Sequence, residues 1–405
     1  MTTPCTPTLI TSDAPTHRTW LLFALTLGGF AIGTSEFSIM GLMPELARDF
    51  GVSEPSVGHL ISTYALGVVV GAPLLAILGA RFPRRTLLLG LMGFYALGNF
   101  ATAIIPGYYG VMMSRFIAGL PHGAYFGVAA LTAVAISPPE SRGKAVSLTM
   151  LGLTVAILIG NPIATYIGQT IGWRWAFVLV GLIALITVAL IALVMPRDSQ
   201  PSGGSPLAEI RAFNRLPVWQ TLLIGALGFS GMFCVFSYIA PTLIHITGAS
   251  ASWIPMAMVC FGVGSVIGNM LGGFLFDRLK FSAVPVILVS AIVLLILYPF
   301  AAKTLSSLFL IAAGIGMMGA LGAVLQSHLM DVAGEAQTLA AASHHAAFNA
   351  ANALGPWLGG MAISANWGWT STGYVGAFTA LIGVVLYLWA QSTLRRTHLP
   401  PHSNA

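Results

Sequence analysis

Long apolar runs follow one another down the whole chain, broken only by short polar turns. A helix that crosses a bilayer needs about 20 apolar residues. Twelve runs of that kind can be marked, at residues 20–43, 56–79, 86–105, 109–135, 145–168, 175–195, 218–244, 252–275, 282–301, 305–329, 337–363 and 371–391. The pattern predicts an all-α membrane protein of twelve transmembrane helices. The 19 residues before the first run are polar and hold no apolar core of their own, so no cleavable leader is expected. An even number of crossings puts both termini on one side.

The widest break is "PRDSQPSGGSPLAEIRAFNRLP" at 196–217, rich in Pro, Gly and Ser. It reads as a linker between residues 1–195 and residues 218–405, six runs on each side. The two sides repeat each other. "GAPLLAILGARFPRR" (71–85) lines up with "GNMLGGFLFDRLKFS" (268–282) at an offset of 197. "GNPIATYIGQTIGWRW" (160–175) lines up with "GPWLGGMAISANWGW" (355–369) at 194, so that Pro162 meets Pro356 and Trp173 meets Trp367. Two pseudo-symmetric six-helix bundles with a site between them are the plan of a secondary transporter.

Composition agrees. Of the 405 residues 57% are hydrophobic and 7% charged, against roughly a quarter charged in a soluble domain. The net charge of +6 is decided by its placement. Arg18, Arg81, Arg84, Arg85, Arg142, Lys144, Arg197, Arg211, Arg215, Arg278, Lys280, Arg395 and Arg396 fall on the side of the termini, and only Arg48, Arg174 and Lys303 on the other. Lys and Arg stay cytoplasmic, so both termini and the linker are expected inside, in a bacterial-type inner membrane. The same placement removes any reason to expect nucleic acid. Cys5, Cys234 and Cys260 lie far apart, without disulfide or metal spacing. Glycine pairs sit inside spans with no strand before them, which is no nucleotide fingerprint. No nucleophile–base pair emerges, so an enzyme is not expected, nor a metal or a cofactor; the energy source would be a proton gradient. A single chain holds the whole path and is expected to work as a monomer.

Two charges lie well inside the spans, Glu36 in the first and Arg115 in the fourth. A charge at the bilayer centre costs at least about 2.5–3.5 kcal/mol, so each needs a partner, water or a function. If the first span ends at Pro44, Glu36 lies roughly 10 Å below its outer end, near the depth of Arg115. Two readings stay open: a structural ion pair tying the first and fourth helices, or a proton carrier with an arginine that tunes it. Burial and a neighbouring guanidinium pull a carboxyl's proton affinity in opposite directions, a balance suited to a group that takes and releases a proton. Polar groups that can face a cavity are Thr34 and Ser38 beside Glu36, His122 seven residues after Arg115, and Tyr238. His345, Asn349 and Asn352 continue to Pro356 at spacings of four, three and four, one helical face. For His122 and for this stripe, packing and interhelical hydrogen bonds compete with proton relay and substrate contact.

The stretches "GTSEFSIMGLMPELARDFGVS" (33–53), "SRFIAGLPHGAYFG" (114–127), "PPESRGKAVSL" (138–148) and "SHHAAFNAANALGPWLGG" (343–360) resemble the major facilitator superfamily. The closest resemblance is to its twelve-span drug:proton antiporters, which include the AraJ-like sugar-efflux proteins. The resemblance runs from Phe30 to about Leu388. It implies export of a small molecule by alternating access, with Glu36 and Arg115 in proton coupling. It also implies an inner gate after the second and eighth helices, here Arg81, Arg84 and Arg85, facing the start of the eleventh near Glu335–Thr338, and Asp277 and Arg278, closing on Ser141–Lys144 with Arg142 at the start of the fifth. Ala80 and Pro83 replace the family's acidic residue and glycine, so an asymmetric gate latched on the Asp277 side is expected. Gly160, Asn161 and Pro162 approximate the family's fifth-helix motif. Uptake of a sugar or nucleoside, by a proton-coupled or facilitative route, is the alternative; a membrane receptor is another, for which no sensor domain is present.

Overall fold

The computed structural model describes residues 15–79, 81–138, 141–197, 215–333 and 337–397. Ala80, Arg211, Glu335 and most of the linker 196–217 therefore lie outside the described residues. In chain order the helices are α1 Pro15–Phe50, α2 Glu54–Gly79, α3 Arg84–Ile104, α4 Tyr108–Ala135, α5, α6 Trp173–Val194, α7, α8 Ile254–Leu279, α9 Ala283–Ala301, α10, α11 Gln337–Ser364 and α12 Ser371–Thr397. Three of them are composite. α5 runs Arg142–Val155, a π segment Ala156–Gly160, then Asn161–Thr170; α7 runs Leu216–Gly228, Ser230–Ser237 and Ile239–His245; α10 is Leu305–Gly316 and Ala320–Ala333 around a 3₁₀ turn at Met317–Gly319. Ten stretches of the described residues are long and apolar enough to cross a membrane. One of these, Ala251–Ala301, contains both α8 and α9; α11 has 28 residues and carries the polar stripe.

Two boundaries move for identifiable reasons. α1 does not stop at Pro44 but continues through it to Phe50, because Leu46 beyond it is buried and keeps the helix packed. Glu36 therefore lies about 20 Å from that end of its helix, whose last turns carry the exposed Arg48 and Asp49. In α5, Pro162 has no N–H to give to the preceding turn, and the helix widens to a π segment just before it, a usual way of absorbing a missing bond.

The packing of the first six helices is repeated in the last six. α1 lies on α5 and α6, α2 on α4, and α3 on α4 and α6; α7 lies on α11 and α12, α8 on α10, and α9 on α10 and α12. The tightest repeated feature is backbone on backbone. A Cβ on Gly119 of α4 would overlap the Tyr64 carbonyl of α2, and one on Gly316 of α10 would overlap the Phe261 carbonyl of α8. Tyr64 and Phe261, like Gly119 and Gly316, stand 197 residues apart. Overpacking a buried contact costs about 1–3 kcal/mol, and here the neighbour is backbone that cannot rotate away. Gly119→Val and Gly316→Val should each lower the thermal unfolding temperature of the purified protein and its yield in membranes. An unchanged unfolding temperature would contradict this packing.

The halves meet through α2 against α11 and α5 against α8. Helix direction alternates, so one face of the molecule carries both chain ends (the terminal face) and the other the turns after α1 and α11. Toward the latter the halves are bridged: Ser62 Oγ donates to the Ala353 carbonyl at 2.7 Å, Gln169 Nε2 to the Ala251 carbonyl at 3.0 Å, and His245 Nε2 lies 3.2 Å from Glu54 Oε1. Toward the terminal face they enclose a cavity of about 120 Å³, lined from both sides.

Candidate functional site

Three consecutive residues of α1 set the site, because successive side chains on a helix point about 100° apart. Ser35 turns into the first half, Glu36 toward the second half, and Phe37 toward the cavity. Ser35 Oγ donates to Asn99 Oδ1 of α3 at 2.6 Å and accepts from Arg115 Nη1 at 2.8 Å, while Arg115 Nη2 donates to the Ser35 carbonyl at 3.0 Å. The guanidinium also lies over the Tyr64 ring, 4.1 Å from its centroid, with Phe177 at 5.2 Å. Arg115 is wholly buried, so two hydrogen bonds and two aromatic faces replace its water.

Glu36 is 1% exposed. Its Oε1 accepts from Asn352 Nδ2 of α11 at 3.0 Å, a contact spanning 316 residues, and its Oε2 has no partner. Among the described residues the ion pairs are Arg174–Asp49 at 2.7 Å and His245–Glu54 at 3.2 Å. Glu36 and Arg115 form none. The ion-pair reading of these two charges is thus corrected: the arginine is held by the backbone and hydroxyl one residue earlier, and the carboxyl reaches across to the other half.

The remaining expected residues divide by where their helices turn them. His345 lines the cavity, with its neighbour His344, and stacks on Phe126 at 5.0 Å. His122 lies 6.4 Å from His345 between ring centroids and shares a hydrogen bond of 3.1 Å with the Tyr64 hydroxyl through Nδ1. Its Nε2 is buried without a partner. Asn349 Nδ2 donates to the His345 carbonyl at 3.1 Å, bracing the stripe from within α11. Thr34 and Ser38 do not face the cavity. Thr34 donates to the Phe30 carbonyl and Ser38 to that of Thr34, and Thr34 packs where Gly160 leaves room. Tyr238 also turns away, because its hydroxyl donates to the Pro356 carbonyl at 2.7 Å inside the second half. Asn161 of the fifth-helix motif reaches Met258 of α8 across the halves, Nδ2 to Sδ 3.5 Å.

Of the expected gate residues, Asp277, Arg278 and Arg142 are exposed on the terminal face. Asp277 makes no ion pair among the described residues. Arg81 is exposed as well. Arg85 donates to the Ala192 carbonyl of α6 at 2.7 Å, and Arg84 lines a hollow among α1, α4 and α6, so both turn into the first half. The residues that sequence reasoning passed over are apolar. Phe37, Phe229, Phe233, Phe261 and Phe348 supply the aromatic part of the cavity wall, with Gln326 and Asn269 as its side-chain amides. Among the described residues no Asp, Glu, Lys or Arg lines it. Single phenylalanines in spans carry no signal of their own; only the fold gathers them. Among the described residues no three His, Cys, Asp or Glu converge as metal ligands.

Similarity to known proteins runs the length of this framework. The chain is 38% identical over 369 residues to the inner membrane transport protein YdhP of Escherichia coli O157:H7, covering 90% of this chain and 94% of that one. It is 32% identical over 343 residues to a chloramphenicol resistance protein of Streptomyces lividans, covering 83% and 87%. The crystal structure of a bacterial homologue of the human lysosomal transporter Spinster, inward-facing and unoccupied, superposes with a TM-score of 0.76 at 19% identity, over 96% of this chain and all of that one. The sequence model of the Major Facilitator Superfamily matches residues 25–343 and, in a second placement, 231–403. The chain belongs to the major facilitator superfamily, in its drug and sugar efflux branch, and is a membrane transporter and not an enzyme.

Proposed function

We propose that this transporter exports a small uncharged organic solute in exchange for protons, with Glu36 as the proton site. The observation that carries the reading is the Glu36 carboxyl itself. It is buried where the halves meet, bonded to Asn352 of the opposite half, and holds one oxygen in reserve. A carboxyl so enclosed can change its proton only when the halves part, which ties protonation to the rocking of residues 1–195 against residues 218–405 about the linker. By the distribution of Lys and Arg the terminal face is cytoplasmic. The cavity then faces the cytoplasm and loads solute there, while Glu36 meets protons from outside after the halves rock the other way.

The lining selects the cargo by what it lacks. A charged solute would find no counter-ion, and burying it unpaired is costly. Five phenylalanines with two amides suit a flat, largely apolar body carrying one or two hydrogen-bonding groups. A free hexose would have to share six polar side chains, Thr154, Ser265, Asn269, Gln326, His344 and His345, with a wall that is otherwise apolar. The test is flux in proteoliposomes across a panel of chloramphenicol, a nucleoside and a hexose, with and without a pH gradient. Accumulation of the aromatic solute against its own gradient, only when protons can flow the other way, is the expected result. Transport of the hexose alone, indifferent to pH, would support facilitated sugar passage instead.

The inner gate follows from the same reading. Asp277 stands exposed and makes no ion pair among the described residues. On closure it should meet the start of α5, where Arg142, Lys144 and the free N–H groups of the first turn carry positive charge. Asp277→Asn should raise the inward-open population. A cysteine placed in the cavity, for example at Ala323, should then react faster with a reagent added from the cytoplasmic side. Equal labelling rates in the two proteins would mean that no such latch exists.

A further inference from the structure

A second hollow, of about 40 Å³, lies within the first half on the terminal face, lined by His17 and Arg18 of α1, Arg84 of α3, the ends of α4 and α6, and the residues just past them. Among the described residues no acidic side chain lines it. Arg18 Nη2 donates to Ser141 Oγ at 3.0 Å, which fixes that cation at the rim. Arg84 makes no hydrogen bond or ion pair among the described residues, and its Nε is buried without a partner. Arg84 also opens α3, whose first turn has no side-chain cap, so free N–H groups add to the positive potential.

The other half shows that packing does not demand an arginine at the position of Arg84. At the repeat offset of 197, Arg84 falls on Phe281, Thr132 on Leu329, Ala135 on Val332 and Leu21 on Val218. There Val218, Leu329 and Ala333 close into an apolar cluster with Val332, and Phe281 stacks on His328 at 3.8 Å. Arg18 keeps an arginine as its counterpart, Arg215, whose Nη1 donates to the Val332 carbonyl at 3.2 Å; only Arg84 is replaced by a ring that fills the space, and in the first half the space stays open beside it. The space suits roughly three water-sized groups, enough for part of one phosphate, whose remaining oxygen would stay at the open side.

We propose that this hollow binds a phosphate group, presented either by the headgroup of an anionic lipid or by a free phosphate. Basic pockets between membrane helices at the cytoplasmic surface recognise such headgroups, each cation contributing about 1 kcal/mol. The apolar Leu21, Ile136 and Met195 beside the cations suit the glycerol and first acyl carbons of a lipid. The test uses the purified full-length protein. Native mass spectrometry reads retention of added phosphatidylglycerol against phosphatidylcholine, and thermal unfolding reads protection by inorganic phosphate. Two variants remove the cation, Arg84→Phe, which copies the other half, and Arg84→Gln, which keeps a polar side chain should the first fail to fold. Arg85→Gln is the charge control, since Arg85 is engaged with Ala192.

Phosphatidylglycerol should be preferred by the wild type and bound about fivefold more weakly by either Arg84 variant, with Arg85→Gln unchanged. Protection by lipid alone assigns the site to a headgroup; equal protection by millimolar inorganic phosphate assigns it to the free anion. Equal retention of phosphatidylglycerol by wild type and both Arg84 variants, with no effect of phosphate, overturns the proposal.

Discussion

Glu36→Gln is expected to abolish gradient-driven export while leaving the protein folded, inserted and able to bind its solute. The substitution keeps the volume of the side chain and an amide oxygen that can still accept from Asn352 Nδ2, so the contact between α1 and α11 survives. It removes only titration. Coupled transport in proteoliposomes should fall to the level of empty vesicles, whereas downhill exchange of labelled for unlabelled solute should persist. The separation of these two readouts identifies a coupling group. A fold defect would take both away, and full uphill transport in the variant would remove Glu36 from the mechanism.

Arg115→Lys should be nearly as damaging, for a geometric reason. The guanidinium forks onto one residue, donating to the hydroxyl and the carbonyl of Ser35 at once, and lies flat on Tyr64. An ammonium keeps the charge but is a compact point with no plane. It can hold one of those oxygens and must give up the stacking, in a place where it is wholly buried and has no water to replace them. Ser35 then keeps Asn99 but loses one of the two bonds to Arg115 that set the rotation of α1, and the aim of Glu36, one residue on, at Asn352 is loosened. A fall in coupled flux of at least tenfold, at near-normal expression, is the expected outcome. The same flux as wild type would mean that the buried charge alone is what matters.

Much of this could be read from the chain because the bilayer leaves few alternatives. Twelve apolar runs follow from a solvent that tolerates only satisfied backbone, and the offset of 197 is printed in the repeated stretches themselves. The two buried charges stood out for the same reason, since nothing else in the spans costs as much. Their partners did not. Whether Arg115 meets Glu36 or Ser35 depends on a rotation of about 100° around α1, and no spacing within the sequence fixes it. Asn352 could be placed on a polar face of α11 but not opposite Glu36, because that contact is made by the docking of two halves. Thr34 and Tyr238 were polar in an apolar run and so drew notice, yet each satisfies itself on a nearby carbonyl. The phenylalanine wall drew none, because in a membrane chain such residues look like every other packing side chain.

The central claim is that one carboxyl binds either a proton or yields it when solute arrives. Its most direct test is proton release from the purified protein in weakly buffered detergent solution, followed with a pH indicator as solute is added. The wild type should release protons in a saturable way, at the same solute concentrations that half-fill the site, and Glu36→Gln should bind solute without releasing any. Equal release by both proteins would contradict the account and place the proton site elsewhere.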